Sequence, residues 1–131
     1  MSRFLCLVVC LAFVGCQRYE GTNNKAGYEN EKGVGFLEKE EFESAISCFT
    51  EAIRLDPSLA TVYRNRGLAY NELGKFDEAI RDYSEAIRLD PKNAVAYFER
   101  SICYRKKGDS EKARADLEKA KQLGYTPPTQ K

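Results

Sequence analysis

Histidine and tryptophan are both missing from this chain of 131 residues, and neither sign of charge prevails, with 21 Lys and Arg against 20 Asp and Glu. The lack of histidine removes the commonest general base and metal ligand. Cys48 and Cys103 have none of the spacing of a metal site. A phosphate-cradling loop is missing too: Gly33-Val-Gly35 is short, is followed by neither Gly nor Lys, and falls inside a helical stretch. The acidic cluster from Glu38 to Glu41 sits at a helix end and its turn, where it reads as a solvated face. The balance of charge leaves no net field to recruit nucleic acid or an anionic membrane surface. Long apolar runs are scarce. The longest, Phe4 to Val14, falls well below the ~20 residues that a spanning helix needs. These absences point away from an enzyme and imply no cofactor, no metal and no nucleic-acid partner.

What the chain does have is a period. The stretch from Ala60 to Asn93 finds itself again when shifted by thirty-four residues in either direction. Glu51 to Pro57 recurs letter for letter as Glu85 to Pro91, and Ala45, Ala79 and Ala113 fall in register with one another. A fixed period of this length marks a repeat architecture. Within the unit, Tyr63, Gly67, Tyr70 and Leu73 fall at helical spacing from Val62 to Leu73. Gly74 supplies the left-handed residue that ends a helix. Asp77 is the expected N-cap of a second helix, with Glu78 suited to its first turn. Ala79, Ile80, Tyr83, Ala86, Ile87 and Leu89 form the apolar stripe of that helix, and Pro91 stops it. The unit is a helical hairpin.

This hairpin resembles the tetratricopeptide repeat, with Tyr63, Gly67, Tyr70, Ala79, Tyr83, Ala86 and Pro91 at the places of the family's pattern. The upstream copy keeps Gly33, Phe36, Ala45, Phe49, Ala52 and Pro57, with Glu29 at the first aromatic place. The downstream copy keeps Tyr97, Tyr104, Ala113 and Ala120, with Ser101 for Gly, Leu117 for the aromatic and Tyr125 for Pro. The resemblance implies an all-α fold of three tetratricopeptide helix-turn-helix repeats over 26–59, 60–93 and 94–127, forming a short right-handed superhelix, with 128–131 as a tail. Arg114 and Lys121 stand where the second repeat has Ile80 and Ile87, which suits the polar outer face of a terminal repeat.

The N-terminal residues 1–15 read as a signal peptide: Arg3, an apolar run, then small Gly15 before Cys16. Phe13-Val-Gly-Cys16 resembles the lipobox of bacterial lipoproteins, with Phe13 where Leu is usual. The resemblance implies cleavage before Cys16 and its lipidation, hence a membrane partner through a lipid anchor in the cell envelope. Two or more acyl chains anchor stably where one does not. Gln17 stands where Asp would favour the inner membrane of a Gram-negative cell, so the outer membrane is favoured there. Residues 16–25 then read as the lipidated cysteine and a polar linker. A plain cleaved signal and an uncleaved anchor remain alternatives.

With Cys6 and Cys10 removed and Cys16 acylated, Cys48 and Cys103 are left, one repeat apart from contact and so expected as free thiols. Cys103 matches Ala69 and is expected in the core; Cys48 matches Asp82 and is expected to be partly exposed.

In the family, the first helices of successive hairpins line a concave groove for a protein or peptide ligand. Helical spacing puts Arg64, Asn65 and Leu68 on that side of the second repeat, with Asn30 and Val34 in the first and Phe98, Ile102 and Arg105 in the third. Such a groove suits a partly apolar peptide with an acidic group. Chaperone-binding members hold a terminal carboxylate with Lys and Asn, then Asn, then Lys and Arg. Here the matching residues are Asn30, Val34, Asn65, Val95 and Glu99, so that clamp is lacking. The function implied is a non-catalytic protein-interaction scaffold, lipid-anchored in the envelope. Its alternatives are a regulatory or targeting subunit of an envelope enzyme or secretion machine, and a binder of small molecules or peptidoglycan fragments.

Overall fold

A computed structural model of the chain describes residues 24–126, and the signal peptide, Cys16, most of the linker, residue 127 and the tail 128–131 lie outside the described residues. Among the described residues six helices follow one another: α1 over 24–38, α2 Phe42–Leu55, α3 Ala60–Glu72, α4 Phe76–Leu89, α5 Ala94–Lys106 and α6 Ser110–Gln122. Helix α1 is already under way at residue 24, inside the stretch read as linker. No described helix is long and apolar enough to cross a membrane.

Hairpins form because each pair of helices is separated by a tight turn with a left-handed residue. Gly74 (φ 73°) and Gly108 (φ 83°) fill that place in the second and third hairpins. The first hairpin has Glu40 there at φ 60°, where a Cβ costs on the order of 1 kcal/mol. Capping differs from the expectation in one respect. Asp77 lies one residue inside α4, and the N-cap is Lys75, with no side-chain cap bond. Genuine side-chain caps occur at Asn93, whose Oδ1 accepts from Ala96 N, and at Asp109, whose Oδ1 accepts from Lys112 N.

Alanines and glycines set the distance between helices. Ala45, Ala52, Ala69, Ala79, Ala86, Ala96 and Ala120 are all fully buried. Phe49 of α2 lies so close to Gly33 of α1 that a Cβ there would come within 2.5 Å of its ring, and Tyr83 crowds Gly67 in the same way at 2.9 Å. The third hairpin changes both sides of that contact together: Ser101 replaces the glycine and the smaller Leu117 replaces the aromatic. The first core cluster joins Ala45, Phe49 and Ala52 of α2 to Val62 and Ala69 of α3, and a second joins Ala79 and Tyr83 of α4 to Cys103 of α5. Fully burying a ring such as that of Phe49 contributes roughly 2–3 kcal/mol.

Helix α3 touches α5 directly, whereas α2 and α4, and α4 and α6, are not in contact. The array therefore curves towards its first helices, and α1, α3 and α5 line the inner side.

Candidate functional site

Two polar contacts cross the inner surface from one hairpin to the next, at the same offset. Asn65 Nδ2 donates to Asn30 Oδ1 at 3.1 Å, joining α3 to α1. Arg64 makes a bidentate ion pair with Glu99 at 2.9 and 3.0 Å, joining α3 to α5. Each pair is one repeat plus one residue apart, a spacing visible in the sequence. Glu99 was read at a groove place in the sequence, but its pairing with Arg64 was not. Burial pushes its carboxyl above the ordinary range, against the opposing pull of the Arg64 guanidinium. Arg64 is therefore not free to receive an acidic ligand group, because its fork is already filled by Glu99.

The remaining groove residues divide. Leu68 lines a shallow depression of about 230 Å³ with Leu37, Glu40, Phe42 and Glu72. Val34 is half-buried and packs against the first core cluster. Ile102 is half-buried on α5. The Phe98 ring is stacked by Tyr125, with centroids 4.4 Å apart, so the segment after α6 covers one of its faces. Arg105 is exposed and borders a different pocket at the end of the array, with Ser101, Ser110, Ala113, Arg114 and Leu117. The inner surface thus brings Asn30, Arg64, Asn65 and Glu99 together in bonded pairs, with Leu68 and Ile102 alongside, while Arg105 turns to the end.

Beneath this surface, the hydroxyl of Tyr83 is buried with no partner among the described residues. Its hydroxyl pKa is pushed far up, by burial first and then by Glu99. Cys103 Sγ donates to Asn71 Oδ1 at 3.4 Å, and burial pushes its thiol up to about 11. Such a thiol is a poor nucleophile at neutral pH. Both Cys48 and Cys103 are free and buried. Cys103 is in the core as expected. Cys48, expected to be partly exposed, is only 7% exposed, and its register explains why.

That register holds a buried ion pair in the other two hairpins. Arg66 pairs with Asp82 at 2.7 and 2.8 Å, and Arg100 pairs with Asp116 at the same two distances. The same guanidiniums reach back to the preceding hairpin, donating to Thr50 Oγ1 and Ser84 Oγ. Tyr63 and Tyr70 flank Arg66, and Tyr97 and Tyr104 flank Arg100, at about 6 Å from ring centroids. In the first hairpin Lys32 and Cys48 occupy the places of the arginine and the aspartate. The position faces the inside of a hairpin in all three repeats. A lone Asp82 letter suggested solvent because its arginine partner, sixteen residues upstream, was not read with it.

Tetratricopeptide repeat models match residues 60–93 and 83–115, and a further TPR repeat model matches 35–74. No curated protein sequence matches the chain. Among solved structures, the second TPR of Spaghetti (RPAP3), bound to the HSP90 peptide SRMEEVD, is 30% identical, with TM-score 0.78 over 81% of this chain and 98% of that one. The Arabidopsis OM64 TPR domain is 31% identical, with TM-score 0.77 over 79% and 85%. The second TPR domain of human RPAP3, in complex with the HSP70 peptide SGPTIEEVD, is 31% identical, with TM-score 0.76 over 79% and 86%. An inner surface lined by the first helices of three hairpins, small residues at the helix crossings and these matches agree: the chain belongs to the tetratricopeptide repeat family.

Proposed function

We propose that this chain is a non-catalytic scaffold whose inner surface holds an extended peptide or helix of a partner protein. The observation that carries this reading is the inner surface itself, where the Asn30–Asn65 pair and the half-buried Leu68 and Ile102 lie on three adjacent helices. Similar domains are bound to peptides, which supports the reading. Those peptides end in acidic residues, however, and Glu99 stands here at a place where the resemblance would require a cation. The ligand is therefore a partly apolar segment whose backbone the two asparagine amides can meet, not an acidic carboxyl terminus. A carboxylate that bound would have to displace Glu99 from Arg64.

The scaffold is further read as lipid-anchored through Cys16 in a bacterial cell envelope, at the outer membrane if the cell is Gram-negative. The residues between Cys16 and α1 span at most roughly 25 Å at 3.3–3.6 Å per residue, so the partner is held close to the membrane. Recovery of partners with a soluble variant starting at Gln17 tests the groove. One stoichiometric protein should be captured, and Asn65→Asp with Leu68→Arg should release it without changing helical circular dichroism. Capture that is indifferent to both substitutions would move the binding site elsewhere. For the anchor, Cys16→Ser should abolish incorporation of labelled fatty acid. Unchanged mass and membrane association in that variant would end the lipoprotein reading.

A further inference from the structure

The two ends of the array are complementary to each other. At each internal join, the first helix of a hairpin packs on the second helix of the hairpin before it. Val62 and Ala96 are buried at these joins, 1% and 0% exposed. Their counterpart one repeat earlier is Tyr28 on α1, which is 61% exposed and is the large hydrophobic that stands out on the surface of the described residues. At the other end, Ala69 and Cys103 cover Ala45 with Phe49 and Ala79 with Tyr83 at the internal joins. The next pair in register, Ala113 and Leu117, lines an open pocket of about 260 Å³.

Charges repeat the pattern. Arg66 and Arg100 reach Thr50 and Ser84 across the internal joins. One repeat outward, the open ends carry exposed Lys32 on α1 and exposed Glu118 on α6. Lys107, just after α5, pairs with Asp77 of α4 across the second join. The corresponding residues at the open ends are exposed Lys39, just after α1, and exposed Glu111 on α6. Two registers that link neighbouring hairpins inside the chain thus end in a lysine at the head and a glutamate at the tail.

We propose that copies of this chain associate head to tail, α1 of one copy docking on α5 and α6 of the next as a fourth repeat would, with Tyr28 buried and Lys32–Glu118 and Lys39–Glu111 paired. The head and tail surfaces differ, so the contact is heterologous and grows as an open chain rather than stopping at a dimer. Arg114 and Lys121 stand where Ile80 and Ile87 are half-buried internally, which removes apolar area and makes the join weak and reversible. The groove plays no part in it, so the inference stands apart from the ligand reading.

Sedimentation of the full chain in mild detergent tests the join. The average mass should rise steadily with concentration and fall with added salt, since exposed pairs are screened. Lys32→Glu and Glu118→Lys, each alone, should raise the apparent dissociation constant about five- to tenfold. An equimolar mixture of the two variants should return it to within about threefold of wild type, because opposite charges meet again at half of the joins. Tyr28→Ala should weaken association with no change in melting temperature. A monomer at every concentration overturns the proposal. So does association indifferent to these variants, which would belong to the apolar N-terminal stretch, or a mixture that fails to recover.

Discussion

The first hairpin and the two that follow have the same helices and turns but are held together differently. In the second and third, an arginine between two tyrosines ties the first helix to an aspartate on the second helix and to a hydroxyl on the preceding hairpin. In the first, Glu29 and Phe36 replace the two tyrosines, Lys32 the arginine and Cys48 the aspartate. One bond of that assembly, from the arginine to the hydroxyl, joins a hairpin to the one before it. The first hairpin has no hairpin before it among the described residues, and it relies on Phe49 against Gly33 and on the apolar cluster around it.

The largest expected effect follows from this contrast. Asp82 and Asp116 are nearly buried, and the paired arginines are less than one-fifth exposed. Removing the cation leaves a carboxylate without its partner in a poorly solvated place. Arg66→Ala should cost about 3 kcal/mol in urea unfolding. Lys32→Ala, at the same register in the first hairpin, should cost less than about 0.5 kcal/mol. Equal losses would mean that the arginine acts through helix propensity or packing and not through the pair.

A second contrast separates the third hairpin from the others at the helix crossing. Tyr83 fits over Gly67 because no Cβ stands in the way. Leu117→Tyr would set the same ring against Ser101, and overpacking of that kind costs roughly 1–3 kcal/mol. Adding Ser101→Gly should recover most of the loss, at the expense of the bond from Ser101 Oγ to Phe98 O. Calorimetry on the single and double variants would measure the recovery. Its failure would show that the pocket at the end of the array, rather than the crossing, sets the size of residue 117.

The turns offer the third contrast. Glu40 holds a left-handed conformation that Gly74 and Gly108 hold in the other hairpins. Glu40→Gly should stabilise by about 1 kcal/mol, seen as a rise in melting temperature. A loss instead would give Glu40 a role in the depression that it lines with Leu68.

These contrasts also show what the sequence made legible. The alanine register, the stopping glycines and the identical heptapeptide carried the hairpins and their number, because close helix packing and left-handed turns restrict the residue at one position at a time. The Asn30–Asn65, Arg64–Glu99 and Arg66–Asp82 pairs were harder to read. Each needs two residues from different helices, and Arg64 as a single letter looks like a free cation on the groove. Cys48 was placed wrongly for the same reason: its burial follows from a pair in the neighbouring repeats. The stacking of Phe98 on Tyr125 depends on how the chain turns after α6, which no period specifies.

The smallest expected effect concerns the groove, where two influences on Glu99 oppose each other. Burial raises its carboxyl above the ordinary range, and the bidentate bond to Arg64 lowers it, with burial prevailing. The folded chain then binds a proton at Glu99 at pH values where the unfolded chain has already lost it. Stability contributed at this site is present below the ordinary carboxylate range and declines as pH rises through and above it. Glu99→Gln keeps the shape and removes the titration. The difference in stability, wild type minus variant, should therefore fall as pH is raised from acid to neutral, read from urea midpoints at a series of pH values. The opposing pull of Arg64 is already part of that net upward shift, so it limits the size of the fall without reversing it. A difference that rises with pH would mean that the ion pair outweighs burial. Glu99 would then be a fixed structural partner of Arg64, and a ligand carboxylate could not displace it.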